Sequence, residues 1–197
     1  CAYVRKLVSL PTKHCARRGN RKRDIALGDQ SVLADSYHQF SYPSDDTQRG
    51  FDVRVRAGGQ DIALVTMPGQ SRAGRPWTPW RGIPGNADVR LLPRTFTLAG
   101  DRENPVYVVH RFTAPHDMQV DIDATFAPAA RSVDGIEVSV MLDDTVLQSG
   151  AGKAPFVYTV RSLSLAKGAT LALIARPGDT AQGDVTTYRI TLRRAPG

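Results

Sequence analysis

The sequence predicts an all-β protein, an antiparallel two-sheet β-sandwich of jelly-roll type behind a short basic N-terminal arm. Three observations lead to this prediction. From residue 61 onward, apolar and polar residues alternate with a period of two, as they do in strands buried on one face. Turn-forming pairs such as Lys167-Gly168 separate the alternating segments. The segments are short and no amphipathic helix interrupts them, which favours a sandwich or a barrel.

The N-terminal segment, residues 1–28, is predicted to be an arm that precedes the folded domain of residues 29–197. Residues 1–24 hold eight Lys or Arg residues and a single Asp, which accounts for the whole net charge of +7. Five of these cations form a like-charge block: Arg17, Arg18, Arg21, Lys22 and Arg23. We expect this block to contact an anionic membrane surface. The neutral remainder argues against a nucleic-acid-binding face on the folded domain.

Both cysteines of the protein, Cys1 and Cys15, lie in the arm. Three interpretations of Cys1 remain open. It could be the lipidated first residue of a lipoprotein, it could form a disulfide with Cys15, or both thiols could be free. No run of apolar residues reaches the ~20 that a membrane-spanning helix needs, so we expect a soluble chain that a lipid or the arm could tether to a membrane.

Seven segments are predicted strands: 61–67, 106–113, 120–126, 136–142, 156–163, 169–176 and 186–193. Their apolar positions predict one shared core, formed by Val120, Ile122, Phe126, Ile136, Val138, Val140, Leu171, Leu173, Tyr188 and Ile190. His110 alternates with Val108 and Phe112, so it is expected to point inward.

Residues 68–88 break the alternation, with four prolines, four glycines and both tryptophans of the protein. A loop of this length is usually functional. Rigid aromatic rings are what a sugar-binding surface uses for stacking, so Trp77 and Trp80, with Tyr37 and Tyr42, are the candidate ligand-binding residues. The alternative is that the tryptophans fold back over the edge of the sandwich.

The sequence shows none of the common catalytic or metal-binding motifs. It has no nucleophile elbow, no phosphate-binding loop, no zinc-binding helix and no pair of closely spaced cysteines. Its four histidines are scattered over the arm, a loop and a strand. We therefore expect a protein that is not an enzyme.

Three parts of the domain carry a resemblance to a known family. They are 34–41 with 48–50, then 108–115, and then 134–138 with 183–190. In order and spacing they resemble a family of non-catalytic bacterial jelly-roll modules, similar to carbohydrate-binding modules, that accompany exported polysaccharide-related proteins. The chain departs from the family at Phe51-Asp52-Val53, where an aromatic pair is usual.

The resemblance implies a glycan-binding or accessory module, periplasmic or extracellular, whose partner is a polysaccharide or an oligosaccharide and whose N-terminus could tether it. It implies no required cofactor, but a structural Ca²⁺ could be held by Asp35, Asp134 and Asp184. Two alternatives belong to other classes. One is a capsid-like assembly protein whose basic arm binds nucleic acid, and the other is a soluble domain of a larger membrane protein.

Overall fold

The structure, a computed structural model, describes residues 31–40, 50–67, 71–72, 75–76 and 80–196. The regular elements within these ranges are all β-strands. None of the described residues belongs to a helix long and apolar enough to cross a membrane.

Sixteen strands are defined in the described chain. The first eight are β1 (Val32–Asp35), β2 (Asp52–Ala57), β3 (Gln60–Ala63), β4 (Val65–Met67), β5 (Ser71–Arg72), β6 (Arg75–Pro76), β7 (Trp80–Ile83) and β8 (Asn86–Leu91). The other eight are β9 (Thr95–Thr97), β10 (Tyr107–Thr113), β11 (Met118–Pro128), β12 (Ile136–Leu142), β13 (Thr145–Gly152), β14 (Phe156–Leu165), β15 (Thr170–Pro177) and β16 (Val185–Arg194).

The strands form two large antiparallel sheets that pack face to face, as predicted for a jelly-roll sandwich. The first sheet has the order β14-β11-β16-β9-β8-β7-β4, and β1 pairs with the C-terminal half of β16. The second sheet has the order β13-β12-β15-β10-β2-β3. A small hairpin, β5 with β6, stands apart from both sheets.

The predicted core is confirmed, because all ten of its residues are buried within one hydrophobic cluster. Phe126 on β11 and Tyr188 on β16 lie opposite each other in register, and their rings stack with centroids 6.4 Å apart. Phe96 on β9 adds a third ring, 5.3 Å from that of Tyr188. The period of two predicts these core residues correctly because each of these strands buries one face against the other sheet.

Two predictions about the first half of the chain are wrong. The segment 61–67 is not one strand, since β3 belongs to the second sheet and β4 to the first. The chain crosses between the sheets at Leu64, which is buried while both of its neighbours are exposed. The segment 68–88 is not a continuous loop either, because it contains β5, β6, β7 and the beginning of β8.

Candidate functional site

A cavity of about 890 Å³ lies between the two sheets. Strands β1, β7, β8 and β16 of the first sheet line one side of it, and β2 and β10 of the second sheet line the other. Phe40 and Phe51, on either side of residues 41–49, also line it. The volume falls within the range that binds small molecules and oligosaccharide segments.

One wall of the cavity is a column of rings. The Phe51 ring meets the His110 ring edge to face, with centroids 5.9 Å apart, and His110 lies 5.2 Å from Tyr188. The Tyr188 hydroxyl donates a hydrogen bond to the carbonyl of Leu92 at 3.1 Å. Tyr188 also packs against the core rings, so it fixes the inner end of the column. The outer end of the column is the half-buried Phe51.

His110 is the buried polar ring of this column, with 2% of its surface exposed, which confirms that it points inward. Burial, and secondarily the positive charge of Arg81, lowers its pKa to about 3. The imidazole is therefore neutral at neutral pH, with one nitrogen that donates and one that accepts hydrogen bonds. Such a group suits a sugar hydroxyl, which can do both.

Charged side chains on β2, β3 and β10 form a network on the face of the second sheet opposite the ring column, since they alternate with inward-facing residues such as Val53, Val55 and His110. Arg54 donates from Nε to Asp52 at 2.7 Å, and Arg111 donates from Nη2 to Asp61 at 2.7 Å. Arg56 also binds Asp61, and these two guanidinium groups, Arg56 first, hold the pKa of that carboxyl down at about 2. Asp61 thus remains ionised over the physiological range.

Asp35 caps the turn that follows β1. Its Oδ1 accepts hydrogen bonds from the backbone N–H groups of Tyr37 and His38, both at 2.9 Å, and its Oδ2 accepts from Arg189. The turn is held from the other side by Gln39, whose Oε1 accepts from the N–H of Asp35 at 2.7 Å. With 3% of its surface exposed, this carboxylate is a structural group.

Gly50 makes room for this arrangement at the mouth of the cavity. Its φ of +135° is rare for residues with a side chain, and an added Cβ would lie 2.1 Å from Oε1 of Gln39. The close approach of Gly50 to Gln39 therefore fixes the turn after β1 against the beginning of β2.

Two of the four predicted ligand-binding aromatics, Trp80 and Tyr37, lie within the described residues. Trp80 is buried, with 6% of its surface exposed, and the Arg90 guanidinium lies 5.0 Å from its ring centroid. Tyr37 is half-buried, and Arg94 and Arg189 lie 4.7 and 5.3 Å from its ring centroid. Arginine side chains therefore pack on both rings.

The other two aromatics, Trp77 and Tyr42, lie outside the described residues, as do all five cations of the basic block and both cysteines. A role in ligand binding stays a prediction for all four aromatics.

The three predicted calcium ligands divide between two places. Asp134 and Asp184 are neighbours, close enough for the charge of Asp134 to act on Asp184. Asp35 lies opposite Thr191, seven residues along β16 from Asp184, which at ~3.3 Å per residue puts it roughly 20 Å away. Within the described ranges, no group of three or more His, Cys, Asp or Glu side chains could hold a metal ion. The calcium prediction is therefore not supported.

Sequence reasoning missed most of the cavity. Arg81 received no role, and Phe51 was noted only as a departure from the family pattern. The available signal was the alternation in 106–113, which places His110 on the inner face of β10. The pairing of β10 with β2, which brings Phe51 beside His110, has no local signal in the sequence.

Comparison with solved structures finds several sugar-related proteins. The chain is similar to the carbohydrate-binding module TmCBM61, solved with β-1,4-galactotriose, at a TM-score of 0.39 and 8% identity over 72% of this chain and 88% of that one. It is also similar to the C-terminal CBM6 module of LamC from Zobellia galactanivorans, at a TM-score of 0.31 and 10% identity. That match covers 73% of this chain and all of the module.

A third similar structure is the β-glucosidase of Kluyveromyces marxianus, solved with glucose, at a TM-score of 0.33 and 12% identity. The match covers 85% of this chain but only 18% of the glucosidase chain. No protein-family model and no curated protein matches the sequence. Since all three TM-scores are below 0.5, we derive the function of the cavity from its own residues.

Proposed function

We propose that this protein is a non-catalytic module that binds a polysaccharide or an oligosaccharide in the cavity between its sheets. The observation that carries the proposal is the column of Phe51, His110 and Tyr188, which combines apolar ring surface with a neutral hydrogen-bonding imidazole. Saccharides present apolar C–H faces and hydroxyl groups together, and sites for such ligands pair aromatic walls with a few polar groups.

The carboxylates of the cavity favour binding over hydrolysis. A glycosidase uses two carboxyl groups across the scissile bond, one of them able to donate a proton. Among the described residues, the aspartates at this cavity are Asp35 and Asp52, and they are ion-paired with Arg189 and Arg54. Both carboxylates are thus engaged by arginines of the protein, and they are not presented to a ligand as a pair across one bond.

Phe51→Ala tests this site. The variant removes the outer ring of the column from a half-buried position, and we expect the affinity for a bound glycan to fall about tenfold or more. Phe156→Ala on β14 is the matched control, because Phe156 is also half-buried and packs on Phe126 outside the cavity.

Retention on gels that contain neutral or acidic polysaccharides, followed by calorimetry with the matching oligosaccharides, measures the affinities. Equal losses of glycan affinity in Phe51→Ala and Phe156→Ala would contradict the proposal. So would a failure of every glycan to retain the unaltered protein.

For the location of the protein we propose the periplasmic or extracellular side of a bacterial cell, with the basic arm as a tether. The support comes from the sequence, because its excess charge lies in residues 1–24 and apolar residues such as Val4 and Leu7 accompany it. Charge and apolar contact together give firmer membrane attachment than charge alone.

A further inference from the structure

We propose that the edge of strand β13 pairs antiparallel with the same edge of a second copy of this chain, which joins two sandwiches through one continuous sheet. The two copies would be related by a two-fold axis, the commonest symmetry of protein dimers. The inference goes beyond the proposed saccharide site and does not depend on it. It comes from an outer strand that lacks the usual protection against pairing.

Strand β13 is the last strand of the second sheet, and its partner in that sheet is β12. Its first five residues are all exposed. Within the described ranges, the backbone groups of β13 make hydrogen bonds to β12 alone. Its contact with β14 uses a side chain, since Nε2 of Gln148 donates to the carbonyl of Val157 at 3.1 Å. The backbone groups on the outer side of β13 are therefore available to another strand.

Exposed apolar side chains gather at this edge. Of the five large apolar residues that are exposed in the described part of the chain, three lie on β13 or β14: Val146, Leu147 and Val157. Val157 is beside β13, because Gln148 reaches its carbonyl. A cluster of apolar side chains next to unpaired backbone groups is typical of a surface that associates with a partner.

The other strands at the ends of the two sheets are short or carry charge. Strands β4 and β3 have three and four residues, and β3 includes Asp61. Strand β14 is long, but Arg161 donates to the carbonyls of Ile122 at 3.2 Å and Val160 at 3.3 Å, and Ser162 has a φ of +54°. Short strands, charges and irregular backbone are the means by which sheet edges avoid pairing. By contrast, β13 has eight residues and none is charged.

A second copy of β13 is a suitable partner because the strand complements itself when it runs antiparallel. Its first half, Thr145–Leu147, has the larger side chains, and its second half, Ser149–Gly152, has only small ones. An antiparallel pair centred near Gln148 puts the larger half of each copy beside the small half of the other. The one register shift between β12 and β13 comes before Gln148, so the ladder is regular from there to Gly152.

Charges at the two ends of β13 favour the same antiparallel arrangement. Asp143 and Asp144 precede the strand, Lys153 follows it, and all three are exposed. Antiparallel pairing brings the acidic end of one copy to the basic end of the other, whereas parallel pairing would bring like charges together. The charges therefore select a two-fold pair of identical strands.

The length of the edge sets the strength of the dimer. Eight residues at ~3.3 Å each make an edge of about 26 Å. A single strand pair of this length is smaller than the ~800 Å² per partner that stable complexes bury. We therefore expect reversible association, with a dissociation constant of about 10 to 100 μM.

Sedimentation velocity of the full chain at about 0.15 M salt, from about 5 to 500 μM, tests the pairing. We expect a monomer that becomes a dimer as the concentration rises. Val146→Lys adds a cation to the edge and should weaken dimerisation about tenfold or more. Val133→Lys is the matched control, because both valines are 54% exposed and Val133 lies outside β13 and β14.

A charge exchange tests the direction of the strands. Asp144→Lys and Lys153→Glu each put like charges together at both ends of the pair, and each should weaken the dimer about threefold or more. The double variant, which exchanges the two charges, should restore it. Both positions are exposed, so these variants also test the edge if thermal melting shows that Val146→Lys is unfolded.

Four results would overturn the proposal. One is a chain that stays monomeric at every concentration, and another is a loss of dimer in Val133→Lys equal to that in Val146→Lys. A third is a double charge variant that remains as weak as the single ones. The fourth is slow hydrogen exchange of the outer β13 amides in the monomer, which would show that another part of the same chain covers this edge.

Discussion

Asp184 is a buried carboxyl group with an incomplete set of partners. It has 2% of its surface exposed, and its Oδ1 accepts a hydrogen bond from Ser132 Oγ at 2.5 Å. Its Oδ2 and the Oδ1 of Asp134 are both buried and accept no hydrogen bond from the described residues. Burial, opposed by the Ser132 hydrogen bond and reinforced by the charge of Asp134, raises the pKa of Asp184. Folding therefore favours the protonated form of this side chain.

Asp184→Asn should remove a pH dependence of stability. Because the folded pKa is above the unfolded value of about 4, the contribution of Asp184 is fully present below that value and is lost as pH rises through the folded pKa. We expect variant and unaltered protein to unfold with similar free energies near pH 4, and the variant to be the more stable at pH 7.

Denaturant titrations between these pH values measure the difference. Ser132→Ala, which removes the hydrogen bond to Oδ1, is the companion variant and should steepen the decline with pH. Parallel pH profiles for Asp184→Asn and the unaltered protein would show that Asp184 is ionised in the fold.

At the scale of strands, periodicity predicted those that bury one face. Strands β11, β12, β15 and β16 match the predicted segments within about two residues at each end. Strand β13 was missed because its first five residues are all exposed, which leaves no alternation to detect. Strands β1 and β2 were not predicted either, because they are short and their partners β16 and β10 lie far along the chain.

The site was harder to predict than the core, because it forms where both sheets meet. Residues such as Phe51, Arg81 and His110 have no common motif, and only strand pairing puts them around one cavity. The aromatic candidates were chosen by type, although type does not distinguish a ring offered to a ligand from one that packs. Trp80 is one that packs, beneath Arg90.

Val138→Asp tests the sandwich through β12. Val138 is 2% exposed and faces the core, so an aspartate there would be a buried charge without a partner. We expect a loss of more than about 4 kcal/mol and no folded protein at 25 °C.

Ser139→Asp is the control, because the next residue of β12 is not buried and an aspartate there should cost less than about 1 kcal/mol. Circular dichroism and thermal melting measure both variants. A cooperative melt for Val138→Asp close to that of the unaltered protein would contradict the assignment of this face to the core.

For the whole molecule, the proposed tether predicts that the arm and the domain act separately. Removing residues 1–24 deletes the excess positive charge of the protein. We expect binding to vesicles containing phosphatidylglycerol to be lost, and glycan binding and the melting temperature to be unchanged. In the full chain, raising the salt concentration should weaken vesicle binding, because screening reduces the attraction of exposed charges.

Vesicles of phosphatidylcholine alone are the control surface for this deletion. A fall in melting temperature of several degrees would instead indicate that the arm packs on the sandwich. Vesicle binding that does not respond to salt, or that survives the deletion, would exclude the charged arm as the tether.

The pairing of β1 with β16 also sets the order of events during synthesis. Asp35 and Thr191 meet across this pair although they are 156 positions apart in the chain. A ribosome therefore releases β1 long before its partner exists, and contacts between such distant segments form slowly. The turn after β1 and Tyr188 of β16 both line the cavity, so this wall of the site is completed only when the last strand arrives. Chains interrupted before β16 would lack this wall, so the proposed ligand binding would mark chains that have been synthesised through β16.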